Sequence, residues 1–156
     1  MKKLLICLLL CNTVFAVDLE KSENTDEFTG QTTSQCKKLD TKPNRDFVIL
    51  DLVSFTKKNN GSLYFSWTEA SKVFLRLTPE SRKLNFYCPS NGYRSELSPT
   101  EYTSEVTEDY SIVTETSTYS LSSYDTEQMK SCTGELKVRY GTTVKSFTNL
   151  SCLSEK

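Results

Sequence analysis

Apolar side chains in this chain recur at every second position, and a helical period of three or four is almost absent. Leu63, Phe65 and Trp67 share one side of residues 62–67, and Leu84, Phe86 and Cys88 alternate with Lys83, Asn85 and Tyr87. Val73, Leu75 and Leu77 alternate in the same way with Lys72, Phe74 and Arg76. A period of two marks strands with one face on a core, because successive side chains point to opposite sides. The expected fold is therefore all-β: a single-domain antiparallel β-sandwich, or a small up-and-down barrel, of about seven to eight strands.

Turn residues divide the strands. Residues 46–56 are apolar on both faces over their first half, which suits a strand covered on both sides. Lys57-Lys-Asn-Asn-Gly61 follows as a hairpin connection, Thr78-Pro-Glu-Ser81 as a turn, and Pro89-Ser-Asn-Gly92 as the end of the 83–88 strand. Strands at 46–56, 62–67, 73–77 and 83–88 joined by short turns predict an antiparallel meander.

From Ser95 to Met129 there are eight acidic residues and no lysine or arginine, and more than half of the stretch is Ser, Thr or Tyr. Thr and Tyr favour strands. Two are expected: residues 101–107, with Tyr102, Ser104 and Val106 on one face, and residues 110–121. Residues 125–130 read as a single helical turn.

Lys2 and Lys3 precede a short apolar run from Leu4 to Leu10, and Val14 and Ala16 place small residues at a cleavage site, so residues 1–16 read as a signal peptide cut after Ala16. The run falls far short of the ~20 residues that span a bilayer. Leu8-Leu-Leu-Cys11 outlines a lipoprotein box, but bulky Leu10 stands where that cleavage wants a small side chain, so lipidation at Cys11 is not expected. Residues 17–35 are polar and acidic and read as a flexible tail. Residues 36–156 form the β domain, and the expected location is secreted or periplasmic.

Four cysteines lie beyond the leader: Cys36, Cys88, Cys132 and Cys152. In an oxidising compartment they read as two structural disulfides. If Gly141-Thr-Thr143 tips a C-terminal hairpin, Tyr140 faces Val144, Val138 faces Ser146 and Cys132 faces Cys152. Opposite Cβ atoms about 4.5–5.5 Å apart are near disulfide spacing. That register favours Cys132–Cys152 and leaves Cys36–Cys88, although Phe147 breaks the parity.

Cys88-Pro-Ser-Asn-Gly-Tyr93 resembles the end of the first cysteine strand of an immunoglobulin domain. Thr118-Tyr-Ser-Leu-Ser-Ser123 resembles a constant-domain strand, and Asp125 precedes Cys132 at a spacing similar to that before the family's second cysteine. The resemblance implies Cys88–Cys132, and with it Cys36–Cys152. The chain departs from the family in having no tryptophan after Cys88 and no tyrosine two residues before Cys132.

The absence of histidine removes Ser-His-Asp and Cys-His catalysis and histidine-based metal sites. There is no Gly-rich phosphate loop, and no carboxylate pair is singled out by spacing. Glu105, Glu108 and Asp109 cluster without the Asp-x-Asp-x-Asp-Gly spacing of a calcium loop. No enzymatic activity, cofactor or metal is expected. Loss of Lys2 and Lys3 with the leader takes the formal charge from −1 to −3, and no concentrated basic face marks a nucleic-acid partner.

Binding is what remains. Tyrosine and serine give contact area and adaptable hydrogen bonds at low entropic cost. The expected function is recognition of a protein partner, one of basic character, by an acidic, Tyr/Ser/Thr-rich sheet face that includes Tyr102, Glu105, Glu108, Asp109, Tyr110, Tyr119 and Tyr124. The alternatives are an inhibitor of a basic secreted enzyme such as a lysozyme, and a barrel carrying an apolar ligand.

Overall fold

The computed structural model describes residues 19–26, 32–40, 48–73, 82–141, 143–148 and 150–153. The signal peptide and Cys11 lie outside these residues, as does most of the 73–77 strand expected from the sequence.

Among the described residues ten strands form two antiparallel sheets. In chain order they are β1 (Glu20–Thr25), β2 (Thr32–Asp40), β3 (Val48–Lys57), β4 (Leu63–Lys72), β5 (Leu84–Tyr87), β6 (Arg94–Leu97), β7 (Glu101–Val106), β8 (Ile112–Leu121), β9 (Leu136–Tyr140) and β10 (Thr143–Phe147). The larger sheet has the order β1-β2-β3-β4-β8-β7 and the smaller the order β10-β9-β5-β6. Two separate sheets make the fold a sandwich rather than a barrel. An α-helix, α1 (Ser123–Lys130), joins β8 to β9, and a 3-10 turn (Leu150–Leu153) follows β10.

Alternation along each strand builds the core. Phe55, Phe65, Trp67 and Tyr119 from the large sheet, and Leu84, Phe86, Leu136, Val138, Tyr140 and Phe147 from the small one, join one buried cluster. Rings meet across the gap: Phe65 packs edge-on against Phe86 with centroids 5.3 Å apart, and Trp67 stacks on Tyr140 at 5.0 Å. Such pairs are worth about 0.5–1.5 kcal/mol each beyond the area they bury.

The predicted meander does not form. The β3–β4 hairpin stands, with Gly61 in the left-handed region at its turn. The far side of β4 then pairs with β8, and β5 lies in the other sheet. Nor are residues 20–25 and 32–35 of the expected tail without structure: β1 pairs with β2 throughout. Ladder hydrogen bonds need no apolar side chain, and the six side chains of β1 are all exposed while Leu19 just before it is buried.

The disulfides are Cys36–Cys152, with Cα atoms 6.2 Å apart, and Cys88–Cys132, at 6.0 Å. Both expected pairings are overturned, and the cause is register. Tyr140 faces Thr143, Val138 faces Lys145 and Leu136 faces Phe147. A slip of one residue exchanges the two faces of a strand. It puts Phe147 wholly inside the core and leaves Val144 56 % exposed. Burying the larger ring wins, and Cys152 then leaves the hairpin on the 3-10 turn to reach β2.

The pairing is the one the immunoglobulin resemblance implies, but the setting differs. Cys88 follows β5 and Cys132 follows α1, so this bridge ties the small sheet to a helix instead of joining two sheets. The same junction is bonded by side chains. Ser122 caps α1 in a reciprocal capping box with Asp125, which turns the expected single turn into an eight-residue helix. Tyr93 donates to Asp125 at 2.7 Å, and Asn91 donates to the carbonyl of Gln128 at 2.9 Å.

Candidate functional site

β7 is an edge strand, so its two faces can be followed separately. Its register with β8 pairs Glu101 with Thr118, Thr103 with Thr116 and Glu105 with Thr114 on the outer face. Tyr102, Ser104 and Val106 pair with Ser117, Glu115 and Val113 on the inner face. The outer face continues onto β4 as a row of hydroxyls, with Thr68 and Thr116 2.9 Å apart and Ser66 and Thr118 3.2 Å apart.

The seven candidate residues do not form one surface. Tyr119 is fully buried, and its phenol donates to the carbonyl oxygen of Arg82. Burial pushes its pKa up. It belongs to the core and is withdrawn from any binding face. The sequence held the signal: Tyr119 shares its parity with Val113 and Leu121, both buried.

Tyr124, 66 % exposed on α1, lies at the opposite end of β8 from Tyr110. A ten-residue strand separates them, on the order of 30 Å. Tyr124 packs edge-on to Tyr93 instead.

Tyr102 covers a buried charge pair that sequence reasoning missed. Arg82 donates to Glu115 at 2.7 Å, and both side chains are almost entirely enclosed. Tyr102 donates to the same carboxylate oxygen at 2.6 Å, accepts from Arg82 at 2.9 Å, and holds the guanidinium 3.8 Å above its ring. Burial works against the charged guanidinium, but its bond to Glu115 and the neighbouring Tyr140 outweigh it and its pKa is raised. A lone arginine at the end of a turn and a lone glutamate in a Thr-rich strand carry no pairwise signal along the chain.

The remaining residues gather at the β7–β8 tip. Asp109 accepts from the hydroxyls of Thr107 at 2.6 Å and Ser111 at 2.7 Å and from the amide of Ser111 at 3.1 Å. These bonds hold its carboxyl down at about 2. Asp109 therefore shapes the turn. Glu105 and Glu108 are exposed beside it. Among the described residues no group of three or more acidic, cysteine or histidine side chains is gathered to hold a metal ion.

Tyr110 is the residue that turn geometry does not explain. It is the one non-glycine residue at positive φ among the described residues, at 57°, and it is 77 % exposed. Its amide donates to the carbonyl of Thr107 at 2.9 Å. A bulky side chain in this region costs about 1–2 kcal/mol, which glycine or asparagine avoids. Beside it is a surface hollow of about 500 Å³ lined by Lys72, Val73, Tyr110, Ser111 and Ile112. Val106, also exposed, lies on the strand leading into the same tip.

The chain matches no known protein family, no curated protein and no solved structure. Function is thus read from its own geometry.

Proposed function

We propose that this is an exported, non-enzymatic recognition protein that binds a basic protein partner with the tip of the β7–β8 hairpin. The observation that carries the reading is Tyr110: a large ring, mostly exposed, held at positive φ where glycine would relieve the backbone. Strain kept at an exposed aromatic is what an anchor residue requires, and tyrosine is enriched among the residues that dominate interfaces. Exposed Glu105 and Glu108, on β7 and the turn that leads to Tyr110, give this end of the hairpin negative charge, which speeds encounter with a cationic surface at low salt. Export rests on the leader-like N-terminus and on two disulfides in a small domain.

Inhibition of a basic secreted enzyme is a second form of this reading, with the acidic tip meeting a cationic cleft. The carrier alternative has less behind it. Phe65 and Trp67, on the inward face of β4, are packed against Phe86, Tyr119 and Tyr140.

The test is retention of cationic secreted proteins, a lysozyme first, on the immobilised chain. Retention should weaken as salt rises. It should fall about tenfold in Tyr110→Ala, a loss of ~1.4 kcal/mol, and in Glu105→Ser/Glu108→Ser. Failure to retain any cationic protein, or retention indifferent to Tyr110→Ala, would sink the reading.

A further inference from the structure

The nearly neutral chain hides a separation of charge. Glu101, Glu105, Glu108 and Asp109 lie on β7 and its tip, whereas the outer face of the small sheet carries Lys83, Arg94, Lys137 and Arg139 against Glu96. Register places its side chains in rows. Arg94 of β6 faces Tyr87 of β5, which faces Lys137 of β9; in the next row Glu96 faces Asn85, which faces Arg139. Lys83 adjoins the second row and bonds Glu96 at 2.9 Å. Lys137 sits 4.0 Å from Glu135. Arg94 and Arg139 have no carboxylate partner among the described residues.

These two arginines border a hollow of about 370 Å³ lined by Asn85, Phe86, Tyr87, Arg94, Ser95, Glu96 and Arg139. The guanidinium of Arg94 lies 4.0 Å above the ring of Tyr87. That stacking fixes the plane of the fork and leaves its N–H edges free to donate, so little order remains to be lost on binding. Two strand spacings and two residues separate Arg94 from Arg139, on the order of 12 Å between Cα atoms. Two unneutralised guanidiniums on one exposed sheet face repel each other weakly, and an anionic ligand relieves that.

We propose that this face binds an anionic polysaccharide, with Arg94 and Arg139 each donating to an acidic group of the chain and Asn85 between them donating to a hydroxyl. Planar guanidiniums suit carboxylates and sulfates because they donate two parallel hydrogen bonds. A flat face with a shallow hollow suits an extended polymer. Nucleic acid fits less well. By alternation, Tyr87 is the face's one aromatic side chain among the described residues, and Arg94 already covers it, so no ring is left for bases to stack on. The face is separate from the β7–β8 tip, and the proposal does not depend on how that tip functions.

Heparin and polygalacturonate serve as sulfated and carboxylated probes, with dextran as the neutral polymer and an oligothymidylate of matched charge as the nucleic acid. The wild-type chain should bind at least one of the two acidic polysaccharides in a salt-sensitive manner and should not bind dextran. Arg94→Gln/Arg139→Gln should weaken that binding about tenfold. Lys58→Gln/Lys130→Gln, which removes the same charge elsewhere, should change it less than about twofold. Both double variants alter side chains outside the core, and unchanged melting temperatures will show that they fold. Three results overturn the proposal: neither acidic polysaccharide binds at low salt, the oligothymidylate binds as tightly as they do, or the two double variants weaken binding equally.

Discussion

Arg82 and Glu115 form a charged hydrogen bond of 2.7 Å inside a β-sandwich whose core is otherwise largely apolar. Glu115 is on β8 of the large sheet, and Arg82 stands two residues before β5 of the small one, so the pair links the two layers. Breaking a buried pair from one side leaves an uncompensated charge. Arg82→Met and Glu115→Leu should each destabilise the fold by about 3–5 kcal/mol, and the double variant should lie closer to wild type than either. Urea unfolding of the four chains measures this; additive losses would show that the two residues do not act as a pair.

Tyr110→Gly should raise stability by about 1 kcal/mol by relieving the left-handed backbone, while Tyr110→Ala should not. Thermal melting of both variants decides it. A stabilised glycine variant that has also lost partner binding would establish that the ring is kept at the expense of the fold.

Non-reducing peptide mapping should return Cys36 linked to Cys152 and Cys88 linked to Cys132. In the chain-entropy description, loops of 116 and 44 residues stabilise by about 5 and about 4 kcal/mol. Losing either bridge by paired Cys→Ala replacement should lower the denaturation midpoint strongly, the first somewhat more. A Cys132–Cys152 peptide would restore the hairpin register rejected above.

Phe147→Ala should cost about 3–5 kcal/mol, and Val144→Ala less than about 0.5 kcal/mol, because only the first side chain is in the core. The reverse order would mean that β10 is shifted by one residue.

Acid should destabilise the chain below about pH 4. Asp109 titrates at about 2 in the fold, held there by Thr107 and Ser111. Burial would raise Asp125, but the bonds from Ser122 and Tyr93 bring it below its ordinary value. Between the unfolded carboxylate value near 3.9 and these lower native values the unfolded chain binds more protons, so stability falls as pH drops through that window. Asp109→Asn keeps an acceptor and removes the titration. Its unfolding midpoint should therefore depend less steeply on pH from 4 to 2; an unchanged slope would show that Asp109 is not held low.

Local pattern and tertiary structure divided the determination of this protein between them. Local pattern specified an all-β chain and located β3, β5, β7 and β8 to within a few residues, because alternation and strand propensity are properties of each strand by itself; β4 runs five residues past its expected end. Histidine's absence and four cysteines narrowed the chemistry in the same local way. Partner choice is not local. Whether β4 lies beside a following strand or beside β8, and whether Cys88 reaches Cys36 or Cys132, depends on contacts between residues far apart in the chain. β1 and β2 escaped because ladder bonds leave no trace in side-chain polarity. The candidate site divided along the same line. Composition picked out the tyrosines and acids of 101–124, but only packing sent Tyr119 into the core, set Tyr102 over Arg82 and Glu115, and left Tyr110 standing in solvent at the tip. Burial follows from which face meets the second sheet, and that sheet is assembled from strands on either side of 101–124 in the chain.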